Sequence, residues 1–409
     1  MWQAQHILKR NISVIIIFLI AMAMFDSCSE TNQSMLVSEI TGSIDSLQQV
    51  YAPDKRVTVW DVSVQKKGNK IVVNAEVEGR KALAALLQLK EKYPSLNIKV
   101  KLLPDLPVNE RYALVNNSVC NIRKKTTRKS EMLNQALLGT PLKVFKKKGD
   151  WYYVQTPNQY LGWVNKAAIV LFDSVSLRKY ETGEKVVFNR QCGFSYSKPD
   201  SRSQDVSDLV IGCILPVKGE VKGFYQVEYP DGRMAFVKKR QVMALHTLMQ
   251  KKPTQEGVVK TALKFNGIPY LWGGFSSKGI DCSGLTSTVY FLNGIILQRD
   301  ADEQAKYGKV ITTRFDDTKL QPGDLLFFGP NAKGALQGKV THVAMYIGHG
   351  YFIQSAGRVK ISCMDKSKAD YAAEYGARFI RANRIIGQKN GNTIQKINSN
   401  SLYKLLETK

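Results

Sequence analysis

Apolar and polar positions along this chain change period several times, and the changes divide it into segments. Met35 to Val50 carries apolar residues at helical spacing, whereas Val57 to Val64 and Lys70 to Val77 alternate with period two around a Lys67-Gly68-Asn69 turn. A Leu- and Ala-rich helix over Lys81 to Tyr93 and a strand over Leu96 to Leu103 complete a small α+β module at 34–104, which ends at a Pro104 to Pro107 linker. It carries no evident chemistry, so a docking or spacer role is expected. Between 112 and 172 the pattern is short strands punctuated by Gly and Pro, which predicts a small barrel. A second barrel is predicted over 185–245, because "LPVKGEVKGFYQVEYPDGRMAFV" echoes "LKVFKKKGDWYYVQTPNQYLGWV". The last region, 254–386, opens with a helix over Gln255 to Phe265. An apolar helix then starts near Cys282, followed by strands at Asp324 to Phe328, Thr341 to Ile347 and Tyr351 to Ser355. Residues 387–409 are rich in Asn and Lys and are expected to fray.

Composition narrows the class of protein. The 409 residues are 44% hydrophobic and 10% aromatic, enough for ordinary cores and against wholesale disorder, collagen or a multi-span membrane protein. The formal charge of +25 suits polyanions: nucleic acid, an anionic membrane face or an anionic cell wall. The N-terminus discriminates among them. Lys9 and Arg10 precede an apolar run from Ile12 to Phe25, too short to span a bilayer but suited to a signal-peptide core. Cys28 after Ser27 resembles the cleavage and lipidation site of a bacterial lipoprotein precursor, although Phe25 and Asp26 depart from the usual pattern. Residues 1–28 are therefore expected to be a leader, Cys28 the lipidated residue, and the mature chain a membrane-anchored protein of a bacterial cell envelope. Nucleic acid is not an expected partner.

Cysteine usage points to chemistry at one position. Cys120, Cys192, Cys213, Cys282 and Cys363 are odd in number and lack CxxC spacing, so neither a disulfide framework nor a metal site is expected. Cys120 and Cys213 lie in apolar strand patterns and read as core residues. Cys282 instead follows a Gly-rich loop and opens an apolar helix, where backbone N–H groups and the helix dipole favour the thiolate. A base is needed. His6 falls in the leader and His246 before the last region, leaving His342 at a strand start and His349 in a Gly-His-Gly turn. With that turn closing a hairpin, Gln354 on the return strand becomes a partner or diagonal neighbour of His342. Nucleophile, base and orienter would then be Cys282, His342 and Gln354.

These residues carry a resemblance. "YLWGG", "DCSGL", "PGDLLFF" and "THVAMYIGHGYFIQSA" occur in the order found in the NlpC-type papain-like cell-wall endopeptidases, over about 130 residues. "GDWYYVQTPNQYLGWV" resembles the bacterial SH3-like domain of secreted wall proteins. The fold implied is multidomain: a small N-terminal α+β module, two all-β SH3-like barrels and a C-terminal α+β papain-like cysteine peptidase domain. The function implied is hydrolysis of the γ-D-glutamyl to L-diamino acid bond of peptidoglycan stem peptides, the diamino acid being meso-diaminopimelate or Lys, without cofactor or metal and as a monomer. The third catalytic position, matched by Gln354, is often His in relatives; a neutral amide stabilises the imidazolium less.

The layout further resembles a recycling-type branch that cleaves peptides with a free N-terminal L-Ala. Matched by position, Tyr160 of the first barrel, Asp281 and Ser283 would bind the terminal amine, and Asp281 has the alternative of simply capping the Cys282 helix. "RDADEQ" has Ala301 where that branch often carries Ser, which implies one polar substrate contact fewer. Two other readings compete: a non-catalytic wall-binding lipoprotein, in which Gln354 marks decay, and an acyltransferase or amidase using the same site.

Overall fold

Strand pairing in the two central segments follows one plan, repeated. The computed structural model describes residues 33–406 apart from 69, 174, 176, 178–182, 331–337 and 389–393; the leader and Cys28 lie outside the described residues. The chain divides into two compact units, the first ending at Asp105 and the second beginning at Leu106.

In the first unit, helix α1 (33–51) precedes strands β1 (Trp60–Lys67) and β2 (Lys70–Glu78), helix α2 (Arg80–Lys92) and strand β3 (Asn97–Leu103). The order is β1-β2-β3, antiparallel then parallel, and α2 makes the crossover that a parallel pair requires. Ile40 and Ile44 of α1 and Leu86 of α2 bury against Val73, Val77 and Ile98 of the sheet.

The second unit starts with seven strands: β4 (Tyr112–Val115), β5 (Val119–Arg123), β6 (Met132–Leu137), β7 (Pro141–Lys148), β8 (Trp151–Gln155), β9 (Leu161–Asn165) and β10 (Ile169–Phe172). Their order is β10-β4-β7-β8-β9-β5-β6. Seven more follow: β11 (Lys185–Phe188), β12 (Cys192–Tyr196), β13 (Asp205–Val210), β14 (Ile214–Val221), β15 (Phe224–Glu228), β16 (Met234–Lys238) and β17 (Val242–Ala244). Their order, β17-β11-β14-β15-β16-β12-β13, matches the first set strand for strand. The loose sequence echo thus corresponds to one topology used twice. Equivalent interior positions carry the same residues, Leu142, Val144 and Val154 in one and Leu215, Val217 and Val227 in the other.

Helices α3 (Leu245–Gln250) and α4 (Gln255–Leu263) lead to the last region. Its six-stranded antiparallel sheet runs β21-β26-β22-β23-β24-β25, built from β21 (Lys309–Thr312), β22 (Leu325–Phe328), β23 (His342–Gly348), β24 (Tyr351–Ala356), β25 (Arg358–Cys363) and β26 (Phe379–Arg384). Helix α5 (Cys282–Phe291) packs on β23 and β24. Every residue of α5 after Cys282 is buried, so the helix is enclosed on all sides. The hydroxyls of Ser283, Thr286 and Ser287 find partners inside, such as Gln304 Oε1, which Thr286 meets at 2.7 Å.

The tail corrects an expectation. Strand β27 (Gln395–Lys396) pairs with β20 (Ile295–Ile296), and helix α8 (Ser401–Lys404) follows; earlier in this region lie the hairpin β18 (Phe275–Ser276) and β19 (Gly279–Ile280) and the short helices α6 (Ala301–Gln304) and α7 (Ala373–Arg378). Ile394, Ile397, Tyr403 and Leu406 are buried with the core of the last region, Leu402 is buried as well, and Asn400 Nδ2 donates to Pro157 O of the first barrel at 2.9 Å. The Asn and Lys content that suggested fraying hides these buried apolar residues, which fix the segment.

Candidate active site

Cys282 is the first residue of α5, and three features of its motif hold it there. Asp281 is the N-cap, its Oδ1 accepting from Gly284 N at 2.7 Å. Gly284 lets the Gly274 carbonyl lie against the first turn: a Cβ at 284 would fall 2.2 Å from Gly274 O. Gly273 adopts φ +74° with no room for a side chain, because a Cβ there would meet Met132 O of the first barrel at 2.5 Å. The Gly-rich loop is thus pressed between α5 and strand β6, with Phe275 N also donating to Gln135 Oε1 of β6 at 2.9 Å.

His342 begins β23. Its Nε2 lies 2.7 Å from Oε1 of Gln354, which is fully buried on β24. Register pairs Met345 with Ile353 and Tyr346 with Phe352, so of the two expected placements Gln354 takes the diagonal one. With Nε2 turned to the amide, Nδ1 is the nitrogen left for a reacting group. The imidazole packs against the rings of Phe328 and Tyr375, each centroid 5.8 Å away, and those two rings pack on one another at 5.4 Å. Burial pushes its pKa down to about 4, with the Gln354 hydrogen bond opposing the shift. His349 lies in the turn between the strands, at φ +53°.

The thiolate expectation is corrected. Burial, reinforced by the Asp281 carboxylate, pushes the Cys282 thiol up to about 11; the Val343 and Ser283 backbone and Arg299 pull the other way without prevailing. Both shifts favour the neutral thiol and the neutral imidazole. The helix terminus is outweighed first by burial and then by the charge of its own cap, Asp281.

The amine-binding expectation also changes. Both Asp281 oxygens are occupied: Oδ1 by Gly284 N, Ser283 Oγ and Arg299 Nη1, Oδ2 by Gly273 N at 3.0 Å and Arg299 Nη2 at 2.5 Å. Arg299, 1% exposed, also donates to Ser283 Oγ at 2.9 Å and to Asn134 Oδ1 of β6 at 2.8 Å. Asp281 and Ser283 are therefore tied to a buried guanidinium, and the capping alternative describes Asp281. Tyr160, 5% exposed, donates through Oη to Asp300 Oδ2 at 2.9 Å. Burial and the Asp300 charge raise its pKa strongly, so the phenol stays protonated. Ala301 packs into the core.

Comparison with known proteins bears on this arrangement. Residues 267–378 match the NlpC/P60 family and residues 122–169 match the bacterial dipeptidyl-peptidase Sh3 domain. The chain is similar to the gamma-D-glutamyl-L-lysine dipeptidyl-peptidase of Bacillus cereus, 30% identical over 62% of this chain and 76% of that protein. Its namesake in Bacillus subtilis is 32% identical over 54% and 71%. A crystal structure of an NlpC/P60 family protein from Bacillus cereus superposes with TM-score 0.57 at 25% identity, over 67% of this chain and 99% of that one. The chain belongs to the NlpC/P60 family. It is a cysteine peptidase with a bacterial SH3 domain ahead of its NlpC/P60 domain.

Several residues of this NlpC/P60 site escaped sequence reasoning. Arg299 and Asp300 stood in view in "RDADEQ", and a capping box signalled a helix start there: Asp300 N donates to Glu303 Oε2 at 3.0 Å. Nothing local showed that Arg299 would be buried, since its partners lie 18 and 165 positions away. Tyr270, ahead of the Gly-Gly turn, has its phenol pushed up to about 12 by burial and by the neighbouring Cys282 and Asp281. Among the described residues no cluster of His, Cys, Asp and Glu is placed to hold a metal ion, and no helix is long and apolar enough to cross a membrane.

Proposed function

We propose that this peptidase hydrolyses the γ-D-glutamyl to L-diamino acid bond of peptidoglycan stem peptides that carry a free N-terminal L-Ala. The carrying observation is the 2.7 Å contact between His342 and buried Gln354, on the sheet that packs against the helix opened by Cys282. The names of the Bacillus relatives support the bond class, and the first barrel's close approach to the Gly-rich loop supports a short substrate.

Because both shifts run toward the neutral forms, His342 acts as general base during attack. Nδ1 takes the thiol proton as Sγ adds to the γ-carbonyl carbon, and Gln354 Oε1 stays on Nε2–H. Backbone N–H groups at the start of α5, with the Tyr270 phenol, donate to the oxyanion. His342 then returns the proton to the departing amine of the diamino acid. Water, deprotonated by the same nitrogen, splits the thioester. Tyr160 Oη, polarised by Asp300, accepts from the substrate ammonium at the edge of the first barrel. The protein works at the cell envelope, anchored through Cys28, on released peptides.

The test is mass spectrometry of L-Ala-γ-D-Glu-meso-diaminopimelate and of its Lys analogue after incubation with the protein, beside Cys282→Ala and the N-acetylated peptide. Release of L-Ala-D-Glu by the wild type alone, with the acetylated peptide spared, is expected. Cleavage by Cys282→Ala would sink the mechanism, and equal cleavage of the acetylated peptide would remove the role of Tyr160 and Asp300.

A further inference from the structure

The first barrel reaches into the collar of the nucleophile through consecutive residues of one strand. On β6, the buried Asn134 accepts through Oδ1 from Arg299 Nε at 2.8 Å and from the backbone N of Gln135 at 2.9 Å. Both partners can only donate, so the sense of this amide is fixed and its oxygen faces the guanidinium. The next residue, Gln135, accepts through Oε1 from Phe275 N of the Gly-rich loop and donates through Nε2 to Asn121 Oδ1 at 3.0 Å.

Arg299 meets Asp281 end-on. Nη1 and Nη2 each donate to one carboxylate oxygen, and Nη1 also to Ser283 Oγ, which leaves Nε–H to the side, at Asn134. A planar fork held at its far edge and at Nε is fixed in orientation as well as in place. Without Asn134 one buried N–H loses its acceptor, and turning the plane toward another oxygen would relieve that cost at the expense of the match to Asp281. Asp281 in turn holds Gly284 N in the first turn of α5 and Gly273 N in the loop. Three links, Asn134, Arg299 and Asp281, thus connect the barrel strand to the residue in front of Cys282. Tyr160 grips the neighbouring Asp300 independently.

We propose that Asn134 is a positioning residue for the nucleophile: it sets the guanidinium plane of Arg299 and, through it, the Asp281 cap that fixes the start of α5. The first barrel then serves the chemistry directly, apart from what it offers the substrate. This rests on the reading of Cys282 as the nucleophile. Misplacing reacting atoms by a change away from the chemistry can cost as much as about 100-fold in rate.

The experiment uses the full-length chain. It compares wild type with Asn134→Leu, of similar branched shape but without an acceptor, with Asn134→Asp, which keeps the acceptor, and with Arg299→Met alone and combined with Asn134→Leu. Asn134→Ser, whose shorter hydroxyl leaves Nε–H unmet, takes the place of Asn134→Leu should that variant fail to fold. Two quantities are read: kcat and KM on the peptide above, and the pH dependence of Cys282 labelling by iodoacetamide. In Asn134→Leu, kcat should fall roughly 10-fold, with KM nearly unchanged because Tyr160 still holds Asp300. The labelling curve should move to higher pH, because burial and Asp281 hold the thiol up while Arg299, placed beside the carboxylate, opposes them. Asn134→Asp should recover kcat, and in Arg299→Met the added Asn134→Leu should move neither quantity further. An unmoved labelling curve in Asn134→Leu would overturn the proposal, since a kcat loss by itself would mean packing. The same additional loss in Arg299→Met as in wild type would overturn it too. If the wild type leaves the peptide intact, the functional reading fails instead, and the labelling curves still decide what Asn134 does to the thiol.

Discussion

Replacing Arg299 by Met should be among the most damaging changes available in this molecule. The guanidinium is 1% exposed and its carboxylate partner Asp281 is 8% exposed at the side chain, with 2.5 Å between Nη2 and Oδ2. Met roughly fills the volume of the stem, so the main loss is electrostatic: the buried Asp281 carboxyl is left with two backbone N–H groups and one hydroxyl as partners. Removing one member of such a pair costs about 3–5 kcal/mol, and Asn134 Oδ1 loses its donor as well. At about 2–4 °C per kcal/mol for a large domain, the midpoint should fall by roughly 6–20 °C. Urea unfolding followed by tryptophan fluorescence gives the energy directly. Pairing Arg299→Met with Asp281→Asn removes the stranded charge but leaves an amide facing Gly273 N–H, so partial recovery is expected, with a coupling of roughly 2 kcal/mol. A single change costing under about 1 kcal/mol, or a pair whose costs simply add, would refute the view that the ion pair is what fixes the N-cap of the nucleophile helix.

Three further outcomes follow from particular contacts. Because burial holds Cys282 near 11 and His342 near 4, iodoacetamide labelling of Cys282, read by peptide mapping, should be slow at pH 6 and accelerate toward pH 11. The acid limb of kcat/KM should lie near pH 4, since lowering the imidazole pKa keeps the base neutral well below its ordinary range; equally fast labelling at pH 6 and 9 would show an ion pair instead. Gly273→Ala places a Cβ 2.5 Å from Met132 O at a backbone φ of +74°, so it should push the loop off the first barrel and lower kcat/KM at least 10-fold, against a near-neutral Gly68→Ala control measured in the same peptide assay. Tyr403→Ala, in α8, removes a ring 5.8 Å from that of Phe291 and should cost about 3–4 kcal/mol in thermal or urea unfolding; a loss below 1 kcal/mol would mean the tail is dispensable.

Much of the fold was legible because its signals are local. Period-two runs marked the strands of both barrels, and "DCSGL" announced a helix start through a cap residue, a small residue and an apolar continuation. The His342–Gln354 contact could be anticipated because a two-residue uncertainty in hairpin register still leaves them on one face. What escaped was long-range: Arg299 reads as a surface cation until Asn134, far back in the chain, is known to lie beside it. The same limit explains the thiol. A helix N-terminus favours a thiolate in isolation, and the sequence alone did not say how completely the sheet, the loop and Asp281 would remove water and add negative charge around it.

The corrections share one physical cause. Asp281 was read as a charge facing substrate, Cys282 as a thiolate and the tail as solvated, each a statement about exposure. In the structure Asp281 is enclosed with Arg299, and residues 394–406 cover apolar surface that would otherwise face water. Enclosure raises the cost of any unpaired charge, so Asp281 is matched by Arg299 and the shifts of Cys282 and His342 both run toward their neutral forms. A neutral set is held by the direction of its hydrogen bonds more than by attraction between ions. Gln354, bonded to His342 at one end and to Ser362 at the other, is what the fold supplies to hold the imidazole in that direction.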